Sequence, residues 1–301
     1  MTLRHFLALE DLSPDELRAL IQRGIELGQM QRAGTPYQPL TGRVLAMVFE
    51  KSSTRTRLSF EAGMAQLGGD AIFLSPRDTQ LGRGEPIEDT ARVIGRMCDA
   101  VMIRTGEHAN VERFADYAGV PVINALTDRY HPCQLLADLQ TWIELRGDIA
   151  GRRVAWIGDG NNMCHTWIEA ARLLDFELQI ACPGDFHPER ALVERAGAAV
   201  HLADDPQAAA TGADLVVTDV WASMGHEAEQ ERRGTAFRDF QVDAGIMQRA
   251  HSNALFMHCL PAHRGEEVAA EVIDGPQSVV WQEAENRLHV QKALLELLLL
   301  G

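Results

Sequence analysis

The sequence predicts an α/β protein built as two doubly wound parallel-sheet domains, with helices on both faces and interdomain helices linking them. Three observations carry this. Apolar runs of strand length alternate with amphipathic stretches of helical length, a pattern that builds parallel sheets covered on both faces. The alternation starts afresh at "RRVAWIGDG". The 301 residues suffice for two domains of ordinary size.

The elements follow in order. The first helix has Ser13 as N-cap, Pro14 at its first position and Glu16 as the capping-box acid. Leu17, Leu20, Ile21 and Ile25 then share one face. Strands are predicted at Leu45–Phe49, Ala71–Leu74, Ala100–Ile103 and Val120–Ile123, and a long helix from Pro132 to about Arg146. The second series has strands near Val154–Ile157, Leu178–Ala181, Ala199–Leu202, Leu215–Thr218 and Leu255–Met257. A final helix from about Glu283 is expected to return to the first domain. The expected domains are 1–148 plus 285–301, and 149–284. Neither a short repeat nor a low-complexity linker is visible.

Composition narrows the function classes. Hydrophobic residues at 46% and charged residues at 24% give the balance of a globular protein. A net charge of −15 argues against general nucleic-acid or anionic-membrane binding, so any basic pocket is the more pointed. The five scattered cysteines form no C-x-x-C pair and suggest reduced thiols in a cytoplasmic protein. The N-terminus carries acids and too short an apolar run for a signal peptide. The tail "ALLELLLLG" is far short of a membrane span and reads as a buried terminal helix.

In α/β folds ligands bind beyond the carboxyl ends of strands. There the stretch "EKSSTRTRLSFE" poses a question, because Lys51, Arg55 and Arg57 crowd a helix start. That end of a helix carries partial positive charge, and a cation there is unfavourable by a few tenths to ~1 kcal/mol. A bound anion resolves the conflict. Ser53, Thr54 and Thr56 offer hydroxyls, the first turn offers N–H groups, and Arg55 offers a bidentate clamp. Arg57 lies about 200° around the helix from that site and has Glu61 four residues on, so the structural reading is preferred for it. There is no Walker pattern.

Other strand ends add candidates. Arg104 closes "DAVMIR" and would bring a second positive charge. "YHPCQ" puts His131 at a helix mouth with Gln134 three residues on, able to point together at a carbonyl oxygen, although a histidine there is often structural. "WIGDGNNMC" is half of a dinucleotide fingerprint, but Met163 stands where the third glycine belongs. Asn161 and Asn162 suit a small polar substrate better. Asp219 follows a strand and could hold an ammonium group, with Ser223 and Met224 on the next loop. Cys259 follows a strand beside His258; it is either inert packing or part of a site. Arg287 in "EAENR" reads, taken alone, as a solvated helical arginine.

Together and in order, "SSTRTR", "FLSPRDTQLGRGEPIEDTARV", "HPCQLLADLQT", "WIGDGNNM", "DVWASMG", "HCLPAHRGEEV" and "EAENR" resemble the carbamoyltransferase family, across essentially the whole chain. "STRTR" and "HP-x-Q" are shared by its members; "DVWASMG" and "HCLP" mark the ornithine branch. The resemblance implies transfer of the carbamoyl group of carbamoyl phosphate to the δ-amine of L-ornithine, giving citrulline and phosphate, with no cofactor and no metal. It implies a homotrimer with shared active sites, a carbamoyl phosphate-binding first domain and an ornithine-binding second. On the matching positions, Ser53, Thr54, Arg55 and Thr56 would bind the phosphate, with Gln80 reaching in from a neighbouring subunit. Arg104, His131, Gln134 and Arg287 would face the carbamoyl group, with Cys259 and the Leu260 carbonyl. Asn162, Asp219, Ser223 and Met224 would hold ornithine, and Arg104, His131, Asp219, Cys259 and Arg287 would carry the chemistry. The alternatives are another amine acceptor such as putrescine or acetylornithine, a Rossmann-type oxidoreductase binding NAD, and a catalytically silent scaffold or phosphate-sensing protein.

Overall fold

The computed structural model describes residues 3–77, 79, 84–222 and 230–301. The chain forms two compact units, 1–140 with 285–301, and 141–284.

In the first unit, Ser13 caps α1 (Pro14–Arg32) as the capping box requires: its side chain accepts from the Glu16 N–H, while Glu16 reaches back to the Ser13 N–H. Four strands follow, β1 (Val44–Phe49), β2 (Asp70–Leu74), β3 (Ala100–Arg104) and β4 (Val122–Leu126), all parallel and in the order β2-β1-β3-β4. The crossovers are α2 (Thr54–Gln66), α3 (Ile87–Gly95) and α4 (His108–Ala118). Val48, Val101, Ile103, Phe114 and Val122 form one apolar layer between sheet and helices. Such fully buried side chains contribute roughly 1.5–3 kcal/mol each.

The strand predicted at Val120–Ile123 starts two residues later and continues through Leu126. Polar Asn124 makes that continuation look like loop in the sequence. It is fully buried, with its Nδ2 donating to the Leu7 carbonyl at 2.8 Å. Its backbone N–H donates to the Phe6 carbonyl, so an N-terminal residue supplies the pairing.

The second unit holds β5 (Arg153–Ile157), β6 (Glu177–Ala181), β7 (Val200–Leu202), β8 (Leu215–Thr218) and β9 (Leu255–His258), all parallel, in the order β7-β6-β5-β8-β9. Helices α6 (Asn162–Leu174), α7 (Arg190–Ala196), α8 (Pro206–Ala210), α9 (Gln230–Ala236), α10 (Ala244–Met247) and α11 (Ala270–Ile273) complete it. Two helices run from one unit into the other, α5 (Pro132–Arg146) and α12 (Val280–Leu300), the latter starting ahead of the expected Glu283. Among the described residues no helix is long and apolar enough to cross a membrane.

Each sheet has one place where the crossovers reverse direction, between β1 and β3 in the first and between β5 and β8 in the second. Loops leaving neighbouring strands on opposite faces open a crevice at such a point. Residues 53–56, Arg104, Asn162 and Asp219 stand at or just after the ends of these four strands, while His131 and Cys259 follow β4 and β9.

Candidate functional site

In the first unit, β1 runs into Ser53, which caps α2 by accepting from the Thr56 N–H at 3.3 Å. The Ser53 hydroxyl is therefore engaged as a cap, and the first turn of α2 carries no acid to meet its positive end. The three cations of this stretch separate. Lys51 turns to Asp128 at 3.2 Å. Arg57 pairs with Glu61 at 3.0 Å and lies over the Phe73 ring, 3.8 Å from its centroid, which is the structural role expected for it. Arg55, half-buried in the first turn, belongs to a different group.

That group is built by long-range folding. Arg104 pairs in register with Phe49, so the ends of β3 and β1 stand side by side. Buried Arg104 donates to the Thr56 hydroxyl at 3.5 Å. Arg287, on α12, donates to the same hydroxyl at 3.1 Å and to the Gln134 side-chain oxygen. The Gln134 amide nitrogen in turn donates to Asp138 Oδ1 at 2.8 Å. The solvated arginine that the sequence suggests at position 287 is thus corrected: it is 2% exposed and tied to two candidate residues. A helix seen alone gives no sign of this, because the partner positions lie 153 and 231 residues earlier.

His131 stands immediately before α5 and is buried. Burial, with Arg287, Arg104 and Arg55 adding repulsion, holds its pKa well below the ordinary imidazole value. At neutral pH the ring is uncharged. Three guanidinium groups and a neutral imidazole thus converge on the end of a helix whose dipole is also positive there. The arrangement suits an anion carrying a polar carbonyl.

In the second unit, Asn161 is the N-cap of α6: its Oδ1 accepts from the Met163 and Cys164 N–H groups, at 2.9 and 3.2 Å. Its Nδ2 donates to Asp219 Oδ2 at 2.9 Å. The expectation that both amides grip substrate is corrected for Asn161, which supports the helix and the acid; Asn162 is the first residue of α6. Asp219, buried just past β8, also accepts at Oδ1 from the Val220 N–H at 2.7 Å and the Cys259 thiol at 3.1 Å.

Behind Cys259 stands a buried pair not foreseen in the sequence. His258 Nδ1 accepts from the Leu260 N–H at 2.9 Å, which places the ring proton on Nε2, and Nε2 donates to Glu267 Oε1 at 3.0 Å. One imidazole thereby fixes the residues on both sides of Cys259. Leu260 is held at φ 56°, a left-handed conformation uncommon for a side chain of its size. Donor atoms of Asp219, His258 and Cys259 lie within 4.8 Å of one another, but both His258 nitrogens and the thiol are already engaged in these hydrogen bonds. A second buried pair, Arg233 to Asp159 at 2.7 Å with Arg233 also on the Trp221 carbonyl, ties α9 to the loop after β5. Its partners are 74 residues apart, too far for spacing to reveal. Gln80, Ser223 and Met224 lie outside the described residues.

The glycines of "GDG" have a packing explanation. Gly158 has φ 141°. A Cβ on Gly160 would stand 2.2 Å from the Pro188 backbone nitrogen and 2.4 Å from the His187 carbonyl carbon, so only glycine fits. The half fingerprint reflects close backbone approach and needs no dinucleotide.

The chain matches the aspartate/ornithine carbamoyltransferase carbamoyl-P binding domain over residues 4–144 and the Asp/Orn binding domain over residues 150–298. It is 68% identical over 296 residues to a protein of Methylococcus capsulatus named ornithine carbamoyltransferase, covering 98% of each chain. It is 67% identical to one of the same name from Halorhodospira halophila, covering 99% of this chain and all of the other. Among solved structures, ornithine carbamoyltransferase from Burkholderia thailandensis is similar with a TM-score of 0.93 at 56% identity, covering 99% of both chains. The Pyrococcus furiosus enzyme gives 0.95 at 47% identity, covering 99% of this chain and 97% of that one. With both strand-end clusters present and the likeness running along nearly the whole chain, the protein belongs to the aspartate/ornithine carbamoyltransferase family.

Proposed function

We propose that this chain transfers the carbamoyl group of carbamoyl phosphate to the δ-amine of L-ornithine, giving L-citrulline and phosphate. The observation that carries the proposal is the convergence of Arg104 and Arg287 on Thr56, at the start of an acid-free first turn. A phosphate oxygen would take the N–H groups of the first turn of α2, with Ser53, Thr54, Arg55 and Thr56 around it. Gln80 would add a contact from a neighbouring subunit of a homotrimer.

The carbamoyl carbonyl would face Arg104, His131 and Arg287, with Gln134 on the carbamoyl nitrogen and Cys259 and the Leu260 carbonyl close to the reacting centre. Attack by the amine turns that carbonyl into an oxyanion, and preorganised donors acting there stabilise the tetrahedral intermediate more than the ground state. A neutral His131 donates a hydrogen bond without adding a fourth charge to the arginine cluster. Phosphate then departs against Arg55 and the helix end. The δ-amine must lose its proton before it attacks. Asp219 and Cys259, already hydrogen-bonded to each other, are the groups for that step. Asp219 also gives the ornithine α-ammonium a carboxylate, with Asn162, Ser223 and Met224 completing the amino-acid contacts.

The charge and cysteine usage support a cytoplasmic enzyme of arginine metabolism. The deciding experiment is a panel of ornithine, acetylornithine, putrescine and aspartate, each supplied with carbamoyl phosphate. Carbamoylated product is expected with ornithine far above the others; preference for another amine would reassign the acceptor, and no product with any would remove the carbamoyl transfer itself. A fluorescence titration with NADH is expected to show no binding.

A further inference from the structure

The chain has two lysines, and they sit in opposite environments. Lys51 is a partly exposed cation with a carboxylate partner, Asp128, at 3.2 Å. Lys292, on α12, is 4% exposed. Its Nζ donates to Gln31 Oε1 of α1 at 2.6 Å and Gln66 Oε1 of α2 at 2.9 Å. Both acceptors are neutral amides, and among the described residues no carboxylate stands within ion-pair distance of the amine. The nearby acid, Glu296, is held by Arg23 at 2.8 Å, and His289 faces Glu285. An ammonium buried with neutral partners keeps much of its desolvation cost. Burial pushes the Lys292 amine down to about 8, with Glu296 pulling the other way. The amine lines a cavity of about 220 Å³ in the first unit, walled by Leu27, Met30, Gln31, Tyr37 and Gln66.

We propose that Lys292 is a carbamoylation site, its Nζ capturing isocyanic acid inside this cavity to give a carbamoyl-lysine. The physiological donor rests on the carbamoyl phosphate reading above, because carbamoyl phosphate that expels its phosphate as hydrogen phosphate leaves HNCO. The lone pair of the neutral amine forms the new N–C bond. The C=N π pair moves to the isocyanate nitrogen, which takes up the proton the amine gives up, and no further group leaves. The product is a neutral urea whose N–H groups can still serve the two glutamine oxygens, so the buried charge is removed while its hydrogen bonds are kept. The electrophile is small and uncharged, so it reaches the buried amine without bringing a second charge out of water.

Reaction requires the free base. At pH 7.5 roughly a quarter of an amine titrating near 8 is free, against roughly one in a thousand for an ordinary lysine. Lower basicity returns part of that advantage, since nucleophilicity falls with pKa. Lys292 is therefore expected to react at least about tenfold faster than Lys51. The test is brief treatment of the whole protein with potassium cyanate at pH 7.5, followed by peptide mass mapping. The N-terminal amine serves as an exposed reference of similar basicity. A second sample receives carbamoyl phosphate without an amine acceptor. The expected result is preferential addition of HNCO at Lys292 in both, absent in Lys292→Arg with Lys51 labelling unchanged. Equal labelling of the two lysines, or a Lys292 labelled by cyanate yet untouched by carbamoyl phosphate, would overturn the proposal. Citrulline formation is measured separately, so loss of the transferase reading is told apart from loss of this one.

Discussion

Arg287 and Thr56 are 231 residues apart in sequence and 3.1 Å apart in space, joined by a hydrogen bond from the guanidinium to the hydroxyl. The contact closes the first unit, bringing the C-terminal helix onto the start of α2. It also fixes an arginine whose second contact is Gln134. Replacing Arg287 by Met keeps the length and removes the charge. If the group stabilises an oxyanion, kcat/KM falls by about 10²–10³-fold, as for loss of one such donor. Steady-state kinetics check this beside a thermal melt; a folded Arg287→Met protein with normal kcat/KM would count against the role.

Arg55 tests the phosphate half of the proposal. Arg55→Ala relieves an unfavourable charge at the helix start, so the fold is expected to survive. Loss of a charge-assisted bidentate contact costs about 2–5 kcal/mol of carbamoyl phosphate affinity. Equilibrium binding of carbamoyl phosphate measures it, and near-normal affinity would sink the phosphate cradle.

Asp219 tests the ornithine half. Its carboxylate is surrounded by donors from Asn161, Val220 and Cys259, so Asp219→Asn places a donor where acceptors are needed. Ornithine kcat/KM is expected to fall far more than carbamoyl phosphate affinity. Putrescine lacks the α-carboxylate, and one lost charged contact is worth about 1.5–3 kcal/mol. With several such contacts acting together, ornithine is expected to exceed putrescine by at least ~10²-fold. Equal use of the two amines would reassign the acceptor.

His131 has a pH signature. Its pKa in the fold lies below its unfolded value near 6.5, first through burial and then through Arg287, Arg104 and Arg55. Below about pH 6.5 the unfolded chain therefore binds more protons than the folded one, and stability falls as the solution becomes more acid. The loss is at most about 1.4 kcal/mol per pH unit for one group. His5, His108 and His289 are also lowered by burial and add to the slope. Denaturant unfolding between pH 5 and 7 is expected to show a shallower acid slope in His131→Asn than in the parent. An unchanged slope would place a charged imidazole at this position.

If subunits of a homotrimer share active sites, as proposed, complementation is expected. Gln80→Ala and Arg55→Ala chains, each inactive alone, should regain part of the activity when mixed and reassembled, because some trimers would contain one undamaged site. Verified mixed trimers without recovery would argue that each site is built from a single chain.

Local physics made much of this protein legible. The Ser13–Glu16 capping box, the Arg57–Glu61 pair and the alternation of apolar runs with amphipathic stretches depend on neighbours within a few residues, and the structure shows each of them. The parallel α/β class follows from that alternation, and the ordered motifs were enough to indicate the family. Tertiary structure decided what depends on distant partners. It turned Arg287 from an ordinary helical arginine into a buried partner of Thr56, made Asn161 the support of Asp219, and set His258 and Glu267 behind Cys259. It also carried β4 through the buried Asn124, whose polar side chain is satisfied by Leu7, 117 residues earlier. A buried polar group is stable only with its partners in place, and those partners are fixed by which strands and helices meet, information that no local window contains.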